Sequence, residues 1–172
     1  MNLIREILDS DIKPKEKVLK LAKKAEEDSR LLGSLVDYSR ECSIADKGNC
    51  IEAMEYVSKE KPELVLPYID YIIETLDSDA PKAKWESSRV IGNLAAKYPD
   101  KARRAIDNLI ANTKDKGTVV RWSTAFALTE IAKNSKDERE KLITLFREIL
   151  KSEENNGVRN VYLKAMKKMG YN

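Results

Sequence analysis

The 172-residue chain carries 32 Lys and Arg residues against 29 Asp and Glu residues, giving a net charge of +3, and it contains no histidine. A net charge this small does not by itself indicate a nucleic-acid-binding protein. The lack of histidine excludes Ser-His and Cys-His catalytic pairs and the commonest metal ligand, so we expect no catalytic residues, no bound metal and no cofactor.

The cysteines and the apolar runs limit the class of protein further. Cys42 and Cys50 stand without a second pair and without histidine, so they predict reduced thiols and not a zinc site or a disulfide framework. Acidic residues within the first ten positions argue against a signal peptide. No apolar run approaches the roughly 20 residues that span a bilayer. We therefore expect a cytoplasmic protein that does not associate with membranes.

The first third of the chain predicts four helices from its apolar stripes. The first covers residues 2–9 and the second about 15–26, with Pro14 at a helix start that tolerates its missing N–H. The third begins near Ser29. The polar segment 39–47 predicts a turn before the fourth helix.

The rest of the chain predicts six more helices separated by short polar turns. Pro62 opens the fifth helix, and Pro67, about one turn later, should bend it. No segment alternates convincingly with a period of two, so we predict no sheet.

One segment recurs along the chain at a nearly fixed spacing. Residues 83–96 are echoed 37 residues later at 120–133 and a further 38 residues on at 158–169, with a fainter copy at 48–57. A period of this size indicates a stacked repeat array, because each pair of helices exposes too wide an apolar stripe to stand alone. We predict an all-α fold, an α-α superhelix (solenoid) of about five helical pairs forming a single domain. The pairs are expected at about 1–26, 27–60, 61–98, 99–135 and 136–172.

A second pattern accompanies the repeats: Pro67 in the first helix of a pair, an acidic turn, and a basic residue opening the second helix. The residues that fit it are Asp77, Asp79 and Lys84, then Asp115 and Arg121, then Glu153, Glu154 and Arg159. On these residues the sequence resembles the HEAT and HEAT-like repeat proteins, similar to the phycobilin-lyase-type short repeats, although its period is slightly below their usual roughly 40–47 residues.

The resemblance implies a binding scaffold without catalytic residues. It also implies that the second helix of each pair lines a concave side and that acid–base pairs form a ladder between repeats. Lys84 stands where the family usually has arginine, so a bidentate contact to the acidic turn is expected to be lost in that repeat.

Helical geometry places one ridge of side chains along the second helices, opposite their apolar stripes. The ridge residues that we predict to bind a partner are Glu52, Trp85, Arg89, Trp122, Phe126, Lys164 and Lys167. Along this ridge the character changes from acidic (Glu52, Glu55) through aromatic to basic. The regional charges agree, since residues 27–60 carry a net charge of −4 and residues 99–172 a net charge of +6.

The aromatic residues of the ridge have two readings. Tryptophan and arginine dominate binding hot spots, so Trp85 and Trp122 could anchor a partner. They could instead pack on the neighbouring repeat, with Arg89 lying on the Trp85 ring as a cation–π contact. Phe126, one turn from Trp122, is not expected to be needed for stacking and therefore favours the binding reading.

The leading prediction is a non-enzymatic protein–protein interaction scaffold that binds a peptide or protein segment, of unknown identity, in its concave groove. The alternative is nucleic-acid binding through the basic C-terminal repeats. Acidic residues such as Glu138 and Glu148 are interleaved with the basic ones there, which favours a solvated face over a phosphate track.

An enzyme is the third class. HEAT-like DNA glycosylases for alkylated bases place a carboxylate near concave tryptophans. In this chain Arg89 stands one turn after Trp85, and Phe126 stands one turn after Trp122. Glu86 is expected to point to the flank, so the resemblance does not favour catalysis.

Overall fold

The computed structural model describes residues 2–172, and the regular structure in this range is helical throughout. The helices are α1 (Leu3–Asp9), α2 (Pro14–Glu27), α3 (Arg30–Glu41), α4 (Ile44–Glu60), α5 (Pro62–Val65, Leu66–Tyr68 and Ile69–Thr75), α6 (Pro81–Ala95), α7 (Pro99–Ala102, Arg103–Ala105 and Ile106–Asn112), α8 (Thr118–Asn134), α9 (Lys136–Ser152) and α10 (Asn156–Lys168). The middle segments of α5 and α7 are short 3-10 turns. The predicted all-α class is confirmed.

Consecutive helices form pairs, and the pairs stack along one axis. The second helices make the main contacts between pairs: α2 packs on α4, α4 on α6, α6 on α8, and α8 on α10. Buried apolar side chains form one cluster that extends from Ile4 in α1 to Met166 in α10. A core spread along an axis in this way is the mark of a solenoid, and the predicted α-α superhelix is confirmed.

Two of the first helices are bent. In α5 the bend lies at Leu66–Tyr68, around Pro67, as the sequence predicted, because proline removes a helical hydrogen bond and crowds the preceding turn. In α7 the corresponding bend at Arg103–Ala105 contains no proline and was not predicted. The bend in α7 is accompanied by ion pairs to both neighbouring layers, from Arg104 to Asp70 at 2.6 Å and from Arg103 to Glu138 at 3.4 Å.

The predicted turn at 39–47 is wrong in its extent. Helix α3 continues to Glu41 and α4 begins at Ile44, so the connection is only two residues long. Ser39 lies within α3, and its buried hydroxyl bonds the Val36 carbonyl at 2.8 Å and the Tyr71 hydroxyl at 2.5 Å. Ser43 starts α4 by accepting the Asp46 N–H at 3.1 Å, which is a standard helix N-cap.

Both cysteines lie within the part of the chain that the structure describes. Cys42 is half-buried, Cys50 is buried, and both thiols are free. Burial raises the pKa of the Cys50 thiol above its ordinary value. Between residues 2 and 172, none of the helices is both long enough and apolar enough to span a bilayer.

Candidate functional site

The predicted ridge lies along the second helices α4, α6, α8 and α10, and we call this side of the molecule the ridge face. Trp122, Lys164 and Lys167 are exposed, and the other predicted residues are partly buried. Three further positions on the same side, one each in α4, α6 and α8, turn inward instead. Glu55, Gly92 and Thr129 are all buried, because the adjacent second helices pack closely there.

The aromatic part of the ridge face is built on α8. The rings of Trp122 and Phe126 stack with their planes 11° apart and their centroids separated by 6.3 Å. Trp122 is 42% exposed, and Val119, one turn earlier, is 51% exposed. We call Val119, Trp122 and Phe126 the aromatic patch. It is an apolar surface on the solvent side of the helix.

Phe126 also packs between repeats. A β-carbon added to Gly92 in α6 would lie 2.3 Å from Cε1 of the Phe126 ring, so the missing side chain at position 92 makes room for the ring. The expectation that Phe126 is not needed for stacking is therefore wrong. Phe126 packs between α8 and α6, and its ring also stacks against the Trp122 ring.

A buried carboxylate holds Trp85 and Arg89 together. The Trp85 indole N–H donates to Oε1 of Glu86 at 2.9 Å, and Nη1 of Arg89 donates to Oε2 at 3.3 Å. Glu86 is 3% exposed, and burial raises its pKa above the ordinary value. The prediction that Glu86 points to the flank is wrong, because its two neighbours on the helix surface draw the carboxylate between them. Arg89 turns to this carboxylate and not to the Trp85 ring.

Arg89 also reaches the preceding repeat. Its Nη2 lies 3.3 Å from Oε1 of Glu55, a residue of α4 that is 1% exposed. The same oxygen contacts Lys59 at 3.2 Å and accepts from the Asn93 amide at 3.2 Å. The other oxygen, Oε2 of Glu55, is buried and has no hydrogen-bond partner among residues 2–172.

Glu52, the predicted acidic end of the ridge, is paired as well. Its Oε2 lies 2.6 Å from Nζ of Lys82, which also donates to Oδ1 of Asn49 at 2.8 Å. The stem of Lys82 lies across Gly48, where a β-carbon would come within 2.9 Å of three of its carbons. The acidic end is therefore neutralised by a lysine of the next repeat, and Glu52 does not stand as a free charge.

The acid–base ladder implied by the resemblance is present between the later repeats. Lys84 donates to Asp115 at 2.8 Å, and Arg121 binds Glu153 through two bonds of 2.9 and 3.3 Å. The single bond from lysine and the double bond from arginine agree with the expected difference between these side chains.

The ladder changes the pKa of both acids. Burial alone would raise the pKa of Asp115, but hydrogen bonds from Lys84 and from the Gly117 N–H bring it below its ordinary value. In the same way burial would raise the pKa of Glu153, and bonds from Arg121 and the Asn155 N–H lower it. Both acids are therefore held in the charged form.

Part of the positive charge in the C-terminal repeats is engaged locally. Arg139 donates to the carbonyls of Ala132 and Lys133 at 2.9 and 2.8 Å, where it closes the end of α8. Lys151 pairs with Glu148 at 2.6 Å. Lys164 and Lys167, by contrast, extend from α10 into solvent on the ridge face.

A pocket of about 740 Å³ lies between α7, α9 and the last step of the ladder. Ile110, Leu145 and Ile149 form its apolar wall, and Arg121 and Glu153 form its polar edge. Arg121 is committed to Glu153 and to the carbonyls of Asp115 and Lys116, so the polar edge is part of the ladder. The pocket follows from the straight course of α9 beside the bent α7.

Comparison with known proteins identifies solved structures with a similar fold. No protein-family model matches the chain, and no curated protein matches it. Among solved structures it is similar to a chain of the complex of CpcE and CpcF of phycocyanin lyase from Nostoc sp. PCC7120, with a TM-score of 0.73 at 16% identity over 95% of this chain and 97% of that one.

The chain is also similar to designed armadillo repeat proteins. One, in complex with the peptide (KR)4, gives a TM-score of 0.71 at 17% identity and covers 95% of this chain and 79% of the other. Another gives 0.70 at 19% identity over 97% of this chain and 81% of the other. At these identities the likeness concerns the fold alone: the chain has a HEAT/armadillo-like helical repeat fold.

Proposed function

We propose that the protein is a non-enzymatic, cytoplasmic scaffold that binds an extended segment of a partner protein along its ridge face. The observation that carries the proposal is the aromatic patch. Trp122 and Val119 are exposed on the same side of α8, whereas Val120, Leu128 and Ile131 of that helix are buried. An exposed tryptophan held rigid by a stacked neighbour has the character of a binding hot spot.

The support beneath Trp122 favours this function over a purely structural role. Phe126 fills the space above Gly92 and completes the packing between α6 and α8, so Trp122 is not required for that purpose. The indole instead offers one face to Phe126 and leaves 42% of the residue in solvent. An exposed apolar patch of this kind suits a partner that covers it.

The length of the ridge face sets the size of the segment. Four second helices, about 10 Å apart, span about 30 Å, which an extended chain covers in about nine residues. At the far end, Lys164 and Lys167 are exposed and would meet an acidic residue of the partner. Two proteins of similar fold are known in complexes, one with the peptide (KR)4 and one as a part of a two-protein lyase assembly. Both support a role in binding.

The test uses a displayed library of random twelve-residue peptides selected on immobilised wild-type protein and on Trp122→Ala. We expect enrichment on the wild type that Trp122→Ala removes. Ile110→Ala is the matched control, because Ile110 is also exposed and apolar but lies on a first helix. Enrichment that is equal on Trp122→Ala, or absent on the wild type, contradicts the proposal. Circular dichroism verifies that each variant keeps its helical fold.

A further inference from the structure

In the ion pairs at the junction of α4 and α6, the acidic side chain is in each case less exposed than its basic partner. The side chains of Glu55 and Glu86 are 1% and 4% exposed, whereas that of Arg89 is 31% exposed. Glu52 is 18% exposed and its partner Lys82 is 33% exposed. Solvent on the ridge face therefore meets cations here, although the sequence predicted an acidic surface.

These cations keep free hydrogen-bond donors. A guanidinium has five N–H groups, and Arg89 directs only its Nη1 and Nη2 to carboxylates; its Nε–H has no protein acceptor within residues 2–172. Lys82 uses two of its three donors, on Asn49 and Glu52. Lys59 contacts Glu55 and is 40% exposed. We call Lys59, Lys82 and Arg89 the exposed cation cluster.

The buried acids fix this cluster and are themselves out of reach. Oε2 of Glu55 lacks a partner, but it is buried, so a cation from outside would first have to displace Arg89. An anion meets no such obstacle, because Arg89 and Lys82 are partly exposed and each keeps an unused N–H donor. Carboxylates that orient an arginine from behind also reduce the freedom it loses on binding, which favours a bidentate contact with a planar anion.

We propose that the exposed cation cluster binds the carboxylate of an aspartate or glutamate side chain in the partner segment. This inference rests on the proposed function, since the same segment places an apolar residue on the aromatic patch. Arg89 and Trp122 lie on neighbouring repeats, about 10 Å apart, which corresponds to about three residues of extended chain. The segment therefore carries an acidic residue three positions from an apolar one.

Peptides selected on the wild-type protein provide the first test. We expect those that depend on Trp122 to carry Asp or Glu three positions from an aromatic or aliphatic residue. Their affinity should fall roughly tenfold or more on Arg89→Gln, because a charge-assisted bond is lost. Arg103→Gln is the matched control, since Arg103 is also partly exposed and paired with two acids but lies on α7. Trp122-dependent peptides that carry Lys or Arg at this position, or no charge, overturn the inference and leave the proposed function standing.

A second measurement decides the inference even if no peptide is enriched. The probes are N-acetyl-aspartate methylamide and N-acetyl-lysine methylamide, titrated into ¹⁵N-labelled protein. The capped aspartate should shift the Arg89 Nε–H signal and the Trp85 indole signal with saturation at millimolar concentration, and the capped lysine should shift neither. Equal shifts from both probes, or none from the aspartate, contradict the cation cluster as a carboxylate site.

Arg89→Gln leaves two buried carboxylates without their arginine, and this could unfold the protein. The double variant Glu86→Gln with Arg89→Gln removes one buried charge together with the cation and keeps an acceptor for the Trp85 indole. Lys82→Gln tests the more exposed part of the cluster. We expect both variants to fold and to lose affinity for the acidic peptides. Full affinity in both, with helical circular dichroism unchanged, overturns the inference.

Discussion

Gly92 and Phe126 are matched across two repeats: the ring occupies the place where a side chain at position 92 would stand, and a β-carbon there would lie 2.3 Å from Cε1 of the ring. Gly92 sits inside α6, where alanine would ordinarily stabilise the helix by about 1 kcal/mol. Phe126 thus accounts for a glycine that helix propensity alone does not explain. The same Phe126 ring therefore packs between two repeats and stacks against the exposed Trp122.

The first prediction follows from this contact. Gly92→Ala should destabilise the wild-type protein by about 1–3 kcal/mol, because the ring must move out of a packed position. In the Phe126→Ala background the same substitution should stabilise by up to about 1 kcal/mol, since only the helix propensity then remains. Urea unfolding of the four proteins measures both effects. The same change in both backgrounds would show that the ring does not limit position 92.

A second prediction concerns the packing between layers. Leu128 is fully buried on α8, and Leu128→Ala should cost about 2–5 kcal/mol of unfolding free energy. Lys133, near the end of the same helix, pairs with Glu130 at 2.6 Å, and both side chains remain partly exposed. Lys133→Ala should change stability by only about 0.2–0.5 kcal/mol. Denaturant midpoints for the two variants that coincide would contradict the assigned helix faces.

The helix faces were predictable because they depend on local periodicity. The stripe that carries Leu94, Leu128 and Ile131 is buried as the pattern indicated, and Pro67 bends α5 because its geometry leaves no alternative. The bend in α7 was not predictable in this way, since the bent residues Arg103–Ala105 include no proline. Whether a helix forms depends mainly on residues close together in the chain. The exact course of that helix depends on the elements it packs against.

The candidate site was predictable only in part, because its contacts cross the repeat period. The sequence indicated that Trp85, Arg89, Trp122 and Phe126 share a face. It did not indicate that Glu55, 34 positions before Arg89, would lie buried beneath it. A signal was present in the spacing of Glu86 and Arg89, three residues apart, which favours an ion pair on a helix. Burial of these acids depends on tertiary packing, so the sequence did not indicate that basic partners neutralise the acidic end of the ridge.

A third prediction uses the ladder between repeats. The pKa values of Asp115 and Glu153 lie below their ordinary values of 3.8 and 4.5, so the folded protein holds fewer protons at these sites than the unfolded chain does. Their contribution to stability is present above the ordinary values and is lost as the pH falls through the lowered ones. Asp115→Asn with Glu153→Gln should therefore reduce the loss of stability in acid. If the unfolding free energies of the variant and the wild type fall equally between pH 5 and pH 2, this role is excluded.

A fourth prediction addresses nucleic acid. Several arginines of the C-terminal repeats are engaged by acids and carbonyls, as Arg121 is by Glu153 and Arg139 is by the end of α8. The exposed lysines that remain are interleaved with acidic residues such as Glu148, so binding should be weak, independent of sequence and abolished by moderate salt. Fluorescence anisotropy with duplex and single-stranded DNA at physiological salt tests this. Submicromolar affinity would favour the nucleic-acid alternative over the scaffold.

The last prediction concerns Glu86, whose pKa is shifted in the opposite direction from the pKa values of Asp115 and Glu153. Burial raises the pKa of Glu86 above its ordinary value of 4.5, with Glu55 and Glu52 adding to the shift and Arg89 and Trp85 opposing it. Between the ordinary and the raised value the folded protein binds a proton that the unfolded chain releases. The contribution of this group to stability is therefore full below pH 4.5 and is lost as the pH rises through the raised value.

Glu86→Gln removes this titration and keeps an oxygen that can accept the Trp85 indole N–H at the position of the present 2.9 Å bond. The unfolding free energy of the variant relative to the wild type should rise as the pH increases from 4.5 to neutral, because only the wild type loses stability there. Urea unfolding at intervals of half a pH unit measures the difference. Glu130→Gln is the control, since Glu130 is a partly exposed helical glutamate paired with a cation three residues away. A flat difference for Glu86→Gln across this range would mean that its carboxylate is equally well accommodated in the folded and unfolded states, and would contradict the raised pKa.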